Sequence, residues 1–270
     1  MKEFKSFYKR VDGNEGSKCR YNIRLDSYGC GCLHDCDYCY AKSLLDFRGL
    51  WNPKEPSVAD IEKVKRKIAK LPAGSIVRLG GMTDCFQPCE KEYRVTREVI
   101  KELNACGIGY LIVTKSDLVC EYLHILDKQK AHIQVSTTWL PCENAVPTER
   151  RIKAIETLQA AGFDVAVRLS PYIPQFVDFG QLNAIRCEKV QVEFLRVNHW
   201  IRKWLPLDYS EYTVRQSGYY HLPLEKKIEY LQRVTGFPQI SVCEDESGAY
   251  EYFRENVNPN REDCCNLRKE

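Results

Sequence analysis

A loop near the N-terminus carries three cysteines whose spacing suits a metal centre. Cys32, Cys36 and Cys39 stand in a C-x3-C-x2-C pattern within a short polar segment. Thiolates bind soft metals and iron–sulfur clusters, and close spacing lets three of them converge with little further ordering of the chain. A structural zinc site closes with four ligands, whereas a cubane cluster held by three cysteines leaves one iron open to another molecule. The triplet therefore predicts an open iron–sulfur cluster.

A neighbouring cysteine leaves a second interpretation open. Cys30 precedes the triplet and could supply a fourth thiolate. Four thiolates would form a closed zinc knuckle with a structural role. On that interpretation the chain is a non-enzymatic zinc-binding module, and replacing Cys30 removes the metal.

The elements that must position this loop alternate between strand and helix patterns. Short apolar runs recur along the chain and are separated by helix-length segments. Repeated strand–helix units imply right-handed crossovers and a parallel sheet. We therefore predict an α/β fold, a partial (β/α)6 barrel with a C-terminal extension. The predicted strands span residues 21–25, 75–79, 110–113, 132–135, 165–169 and 190–194, with a final strand at 239–243, and the predicted helices span 58–71 (after Ser57 as N-cap), 90–105, 117–127, 148–161 and 224–234.

Composition and element order divide the chain into three parts. Residues 1–20 mix basic residues with glycines, which predicts an irregular arm. Residues 21–195 contain the predicted barrel. Residues 196–270 are expected to form a lid that faces the substrate, together with closing elements.

Glycines and polar residues follow several of the predicted strands. In barrels of this kind, chemistry gathers at the C-terminal ends of the strands. Gly80 and Gly81 follow the second strand, Lys115 follows the third, Ser136 follows the fourth, and Arg168 lies near the end of the fifth. Cationic and hydroxyl donors that converge from different strands suit a zwitterionic ligand with a carboxylate.

The cysteine loop resembles that of a known enzyme family. The triplet, its neighbours Tyr38 and Tyr40, and the following Ala41-Lys42 are similar to the cluster loop of radical S-adenosylmethionine (SAM) enzymes, and more narrowly of their spore photoproduct lyase-like branch. The resemblance implies a partial barrel of the radical SAM type and a [4Fe-4S] cluster whose open iron chelates SAM. It also implies reductive cleavage of SAM to a 5′-deoxyadenosyl radical, which abstracts hydrogen from the substrate. An electron donor such as flavodoxin or ferredoxin would be a partner.

The same resemblance implies roles for the strand-end residues. Gly80 and Gly81 would bring their backbone to the methionine amino group of SAM, since glycine has no side chain to block the approach. Lys115, Ser136 and Arg168 are similar to residues that hold SAM by its carboxylate, ribose or amino-acid end.

One position departs from the lyase-like pattern. Where the lyase has a cysteine that returns a hydrogen atom to the product radical, this chain has Met82, whose thioether has no S–H hydrogen. Cys85 or Cys89 could substitute as the donor, or could be buried structural thiols. Tyr38 and Tyr40 could relay a hydrogen atom, or could pack over the cluster and SAM.

The segment 196–221 interleaves basic and aromatic residues. Aromatic faces stack on bases and cations hold phosphate, so this segment could bind an unstacked or flipped nucleotide, or its rings could close the barrel as a lid. With the resemblance, this favours a nucleic-acid or nucleotide-like substrate, and lyase or rearrangement chemistry on a modified pyrimidine in DNA repair or modification. A radical SAM enzyme acting on a peptide, protein or small metabolite is the alternative.

Composition limits the other function classes. The chain of 270 residues has a formal net charge of +3, which is no general polyanion signature. No apolar run approaches the ~18 residues that span a bilayer, and no signal peptide is visible, so we expect a cytoplasmic protein without membrane contact. Its 14 cysteines are then expected to be reduced. Cys243, Cys264 and Cys265 suggest an auxiliary cluster only as a minor hypothesis, because they lack compact spacing, and the remaining thiols Cys19, Cys106, Cys120, Cys142 and Cys187 are expected to be core or surface residues.

Overall fold

The computed structural model describes residues 4–10, 18–141 and 143–268. Residues 1–3 and 11–17 of the predicted arm, and Cys142, lie outside the described residues. The strands are β1 (Phe7–Tyr8), β2 (Arg24–Leu25), β3 (Tyr28–Gly29), β4 (Ser57–Val58), β5 (Ile76–Leu79), β6 (Gly109–Thr114), β7 (Ala131–Ser136), β8 (Asp164–Tyr172), β9 (Lys189–Phe194), β10 (Val214–Gln216), β11 (Tyr219–His221) and β12 (Gln239–Val242).

Eight strands form one central sheet in the order β1-β2-β5-β6-β7-β8-β9-β12. Each neighbouring pair from β2 to β12 is parallel, and β1 pairs antiparallel with β2 at one edge. The sheet stays open, with β1 and β12 at its two edges. The predicted α/β partial barrel is confirmed. The sheet extends beyond residues 21–195 at both ends, and Phe7–Tyr8 forms an edge strand within the arm that was predicted to be irregular.

Helices and short 3-10 turns connect these strands. The helices are α1 (Tyr40–Asp46), α2 (Ile61–Ile68), α3 (Glu90–Tyr93), α4 (Val95–Ala105), α5 (Thr148–Ala160), α6 (Phe179–Ala184), α7 (His199–Trp204), α8 (Leu224–Leu231) and α9 (Ser247–Asn256). Turns of 3-10 helix span Asp117–Tyr122 and Pro174–Phe176. The longest helix in the described part of the chain has 13 residues, and none there is long and apolar enough to cross a bilayer.

The two faces of the sheet differ in polarity because side chains alternate along each strand. In β7, Ile133 and Val135 belong to the main apolar cluster, which also contains residues from α2, α4 and α5. The intervening His132, Gln134 and Ser136 are buried as well and bond to polar groups of neighbouring elements. The barrel therefore has an apolar exterior under the helices and a polar interior.

The C-terminal tail, residues 257–268 after α9, lies at the end of the barrel where the strands begin. His132 Nδ1 and Lys189 Nζ each lie 2.6 Å from oxygens of Asp164. The same lysine donates to the Asn266 carbonyl at 2.8 Å, and the Arg268 amide donates to Asp164 at 2.8 Å. The tail is thus fixed by buried charges at the beginning of β7, β8 and β9.

The helix predicted at 58–71 starts later than its pattern indicated. Ser57 and Val58 form β4, which pairs antiparallel with β3, so Ser57 is not the N-cap. Asp60 caps α2 instead, with its side chain accepting the Lys63 amide at 3.0 Å. Tertiary strand pairing has overridden the helical pattern at these residues.

The helix predicted at 90–105 is broken in two at Arg94, which has a left-handed φ of 53°. The fully buried Glu90 explains the break, because its carboxylate accepts the Thr96 and Arg97 amides at 2.9 and 3.0 Å and so begins the second helix. Similarly, only the 3-10 turn Asp117–Tyr122 forms within the helix predicted at 117–127.

Candidate active site

Close backbone contacts fix the path of the cysteine loop. A Cβ at Gly31 would lie 1.9 Å from the carbonyl oxygen of Asn52, so only glycine fits there. The Asn52 amide donates to the Cys30 carbonyl at 2.7 Å. Cys30 and Asp35 have φ values of 56° and 40°, in the left-handed region that tightens a loop. The protein itself therefore shapes the loop.

The three thiols of the triplet are largely buried and make a few polar contacts. Cys39 is the N-cap of α1, and its sulfur accepts the Lys42 amide at 3.4 Å. The Cys36 sulfur lies 3.9 Å from a Glu143 oxygen. Burial raises the pKa of the Cys32, Cys36 and Cys39 thiols, and the Lys115 charge partly opposes this at Cys36 and Cys39. A bound metal would have to displace these protons.

The Gly80-Gly81 turn follows β5 and faces the cysteine loop. Gly80 has a φ of 83°, and a Cβ there would lie 2.8 Å from the Val113 carbonyl oxygen. The Tyr40 hydroxyl donates to the Gly81 carbonyl. Both glycines line the same cavity as the three cysteines, so the backbone of this turn is close to the cysteine loop.

Asp26 holds the turn that leaves this glycine pair. Its Oδ1 accepts the Met82 and Thr83 amides at 2.8 and 3.2 Å. Burial raises the pKa of Asp26 to about 6, although these backbone donors oppose the rise. The carboxylate thus fixes the turn below the cavity.

Lys115 and Ser136 meet at the ends of β6 and β7. Lys115 Nζ lies 2.8 Å from Ser136 Oγ and 3.5 Å from Glu143 Oε2, and 5.1 Å from the centre of the Tyr38 ring. The Tyr38 hydroxyl donates to Glu143, and Arg151 bonds to the same carboxylate. Although burial alone would raise it, the Lys115 and Arg151 charges lower the pKa of Glu143 to about 2.

Asp84 orients the backbone that presents this lysine. It lies 3.1 Å from His34 Nε2, and it accepts the Thr114 hydroxyl at 2.8 Å and the Lys115 amide at 2.6 Å. Burial would raise the pKa of Asp84, but His34 and these donors bring it below its usual value. The carboxylate therefore ties the cysteine loop to the end of β6.

Arg168 is held in the polar interior of the barrel. Its guanidinium donates to Gln134 at 2.7 Å and to Gln191, and it forms an ion pair with Glu193. The Ser170 hydroxyl also donates to Glu193, at 2.9 Å. Burial would raise the pKa of Glu193, but the charges of Arg168 and two further arginines lower it to about 2. Arg168 reaches the cavity as part of this ion pair.

These residues enclose a cavity of about 190 Å³ at the C-terminal ends of the strands. Of the residues predicted for the site, its lining includes Cys32, Cys36, Cys39, Tyr38, Tyr40, Gly80, Gly81, Lys115, Ser136 and Arg168. Met82 also lines it, whereas Cys85 is fully buried in the apolar core and is not part of the lining. A donor role for Cys85 stays a prediction that its position does not support.

Four carboxylates near the cavity were missed from the sequence. Glu193 is at the end of β9, so the strand-end rule could have identified it. Asp26 and Asp84 lie in turns that follow β2 and β5, where that rule gives a weaker signal. Glu143 lies in an irregular segment, and no pattern indicates that it reaches Lys115.

The segment 196–221 has two kinds of contact. Arg196 and Ile201 line the cavity. Arg202 lies over the rings of Tyr209 and Tyr220, each 5.2 Å from the ring centre, so these aromatic and basic side chains stack on one another. Only part of the segment therefore faces the cavity.

The comparisons with known proteins give likenesses in sequence and in fold. No family model matches the chain. An uncharacterized protein of Methanocaldococcus jannaschii is 28% identical over 162 residues, which cover 55% of this chain and 60% of that protein. The chain therefore spans less than two thirds of the length of this relative.

Two solved structures share the architecture. A spore photoproduct lyase mutant with bound AdoMet and dinucleoside spore photoproduct superposes with a TM-score of 0.62 and 16% identity, covering 83% of this chain and 77% of the lyase. Native anSMEcpe with bound AdoMet superposes with a TM-score of 0.54 and 11% identity, covering 88% and 68%. The chain thus shares the partial (β/α)6 barrel fold of these two proteins.

Proposed function

We propose that the protein is a radical SAM enzyme whose cavity holds a [4Fe-4S] cluster and SAM. The observation that carries this proposal is the common cavity at the strand ends. Cys32, Cys36 and Cys39 line it together with the glycine turn and the Lys115–Ser136 pair. Three cysteines that face a cavity can hold a cluster with one open iron, and the cavity leaves space for the molecule that binds this iron.

The position of the loop's four cysteines fits a cluster better than a closed zinc site. A structural zinc ion takes four thiolates, whereas a cluster with an open iron takes three. Cys32, Cys36 and Cys39 line the cavity, and Cys30 is not part of its lining. The three thiols on the cavity therefore match the ligand set of the cluster.

The residues around the cavity suit the polar end of SAM. Lys115 offers a cation and Ser136 a hydroxyl at adjacent strand ends, where they could hold a carboxylate. The absence of a Cβ at Gly81 lets a ligand approach its carbonyl, which now accepts the Tyr40 hydroxyl. Arg168 would act mainly through its ion pair with Glu193, which presents a carboxylate to an amino or hydroxyl group.

The protein's own contribution is orientation and exclusion of water. When bound, the cluster would supply the electron that cleaves SAM to a 5′-deoxyadenosyl radical able to abstract hydrogen from a substrate. Tyr38 is held in place by Glu143 and lies under Lys115, and Tyr40 is held by Gly81. These fixed rings would shield the reacting centre or relay a hydrogen atom. Met82 cannot relay a hydrogen atom, because its thioether has no S–H hydrogen. A flavodoxin or ferredoxin would deliver the electron.

The cofactor proposal has a spectroscopic test. Anaerobically reconstituted protein should hold about four irons per chain, and its reduced electron paramagnetic resonance signal should change when SAM is added. The Lys115→Ala variant should keep the signal but need more SAM to change it. A colourless protein that contains zinc, or a signal that SAM leaves unchanged, would refute the proposal.

For the substrate, we propose a nucleic acid bearing a modified pyrimidine. An aromatic rim made of the exposed Phe47 and the half-buried Trp200 and Trp204 lies next to the cavity, because α7 carries both tryptophans and the cavity-lining Ile201. Phe47 is 74% exposed, and the Trp200 ring lies 6.3 Å from Phe47 and 6.0 Å from Trp204. The exposed faces of such rings can stack on unpaired bases.

Substrate class can be tested by stimulation of SAM cleavage. Oligonucleotides containing thymine photoproducts should increase 5′-deoxyadenosine formation above the rate with undamaged DNA of the same sequence. Stimulation by peptides or small metabolites alone would favour the other substrate class. Product analysis would then distinguish a lyase from a rearrangement.

A further inference from the structure

A second group of cysteines lies in the polar interior of the barrel, away from the cysteine loop. Cys243 follows β12, and Cys264 and Cys265 lie in the tail that packs into the barrel. Cys19 comes from the segment before β2. Cys19, Cys243 and Cys264 line one small cavity, and Cys19, Cys264 and Cys265 belong to one small apolar cluster with Leu111 and Tyr21.

Two sulfur atoms of this group share one hydrogen-bond donor. The Gln191 amide donates toward the sulfurs of Cys264 and Cys265, at 3.7 and 3.4 Å. Its side-chain carbonyl accepts from Arg168. The group is therefore connected through Gln191 to the Arg168–Glu193 ion pair beside the main cavity.

Positive charges surround the group. Lys18, Arg78 and Arg168 line the same small cavity. Two carboxylates in the lining are already engaged, since Lys227 Nζ lies 2.6 Å from Glu244 and Arg196 lies 2.7 Å from Asp245. Four thiolates with one divalent cation carry two negative charges, which nearby cations would stabilise in a buried site.

The size of the cavity limits what it can hold. Its volume is about 30 Å³, enough for one or two water molecules and too small for a cubane cluster. No three of the group's sulfur atoms lie within 4.8 Å of one another in the described residues, so a common ligand requires side-chain rotation. Rotation about χ1 can make this adjustment, because the Cys264 and Cys265 sulfurs already lie within 3.7 Å of the same Gln191 nitrogen.

We propose that Cys19, Cys243, Cys264 and Cys265 form a second metal site that binds a single soft divalent ion such as zinc. Zinc favours four tetrahedral thiolates when its role is structural. The ion would fasten the tail to the segment before β2 and to the end of β12. It would thereby fix Gln191 and Arg168 beneath the main cavity. This inference does not depend on the proposed radical chemistry.

The test separates the two sites by mutation. The Cys32→Ala, Cys36→Ala, Cys39→Ala variant is produced in zinc-containing medium, its metals are measured, and its zinc is probed by X-ray absorption. It should retain about one zinc per chain, bound by sulfur only. Adding Cys243→Ser and Cys264→Ser should remove this zinc, whereas adding Cys106→Ser, which alters an exposed thiol outside both cavities, should not.

A second measurement covers the case in which the serine variant fails to fold. Removing zinc from the triple variant with a chelator should lower its Tm, and adding zinc should restore it. A triple variant without zinc, a disulfide among these four cysteines in the freshly isolated protein, or an iron–sulfur chromophore in that variant would overturn the proposal.

Discussion

The two groups of cysteines in this protein differ in how the chain brings them together. Cys32, Cys36 and Cys39 are close in sequence, lie on a loop shaped by its own backbone, and face an open cavity. The second group is assembled from segments more than 200 residues apart and lies beside a cavity of about 30 Å³. The larger cavity suits a cofactor that binds a second molecule, and the small one suits a single ion. Their independence can be tested.

The largest expected effect is loss of the cluster alone. Replacing Cys36 with alanine removes one of the three proposed ligands, so iron should fall from about four atoms per chain to near zero. Zinc at the second group should be unchanged. Metal analysis of Cys36→Ala beside Cys106→Ala checks this, and parallel loss of both metals would show that the two groups are not independent.

Glu193 lies between the two groups, and its replacement should destabilise the fold. Glu193→Gln would leave Arg168 buried beside a neutral partner, which costs about 3–5 kcal/mol of unfolding free energy. Glu92→Gln, at an exposed position, is the control. Denaturant unfolding measures both variants. A loss below about 1 kcal/mol would mean that the pair is solvated like a surface salt bridge.

Acid should weaken the same region. The pKa of Glu193 is about 2 in the folded chain against 4.5 for an ordinary glutamate. The charged form therefore stabilises the fold above about pH 4.5, and this contribution is lost as the pH falls toward 2. Unfolding measured across this range should show a weaker pH dependence for Glu193→Gln than for the wild type. Equal slopes would contradict the assignment.

The glycine turn allows a matched pair of substitutions. Gly49 and Gly80 both have positive φ, but a Cβ would meet nothing within 4 Å at Gly49. Gly49→Ala should cost about 1–2 kcal/mol of unfolding free energy, and Gly80→Ala about 1–3 kcal/mol more because of its contact with Val113. Gly80→Ala should also weaken SAM binding. If Gly49→Ala and Gly80→Ala lower stability equally and change SAM affinity equally, the turn at Gly80 is not constrained.

The last expected effect concerns the aromatic rim, which is confined to binding of the substrate. Trp200→Ala should weaken binding of single-stranded DNA by about 1–3 kcal/mol, the contribution of one stacked base. Tyr93→Ala removes an exposed ring on α3 and is the control. Fluorescence anisotropy with a labelled oligonucleotide measures both. Equal binding by the two variants would remove the rim from the substrate site.

Local patterns predicted the barrel well because its strands are short apolar runs with clear ends. They failed where a distant contact decides the local structure. Glu90 breaks a helix through its buried carboxylate, and strand pairing removes Ser57 from the helix that it was expected to cap. The position of Lys115 on the cavity could be predicted because the residue directly follows a strand.

The rest of the site depends on contacts that sequence spacing does not contain. Glu143 reaches Lys115 from an irregular segment, and Asp84 joins His34 to the end of β6. The association of Cys19 with Cys264 and Cys265 depends on the tail packing into the barrel. These contacts could not be inferred because nothing local distinguishes such residues from ordinary surface positions.

The central claim is that the cysteine loop, with Cys32, Cys36 and Cys39, supports cleavage of SAM. The most direct measurement is 5′-deoxyadenosine formation after anaerobic reconstitution with iron and sulfide, addition of SAM and chemical reduction. Wild type should form it, and the Cys32→Ala, Cys36→Ala, Cys39→Ala variant should not. The same variant should keep its fold and the zinc of the second group. No 5′-deoxyadenosine from wild-type protein that contains zinc in place of iron at the cysteine loop would contradict the account.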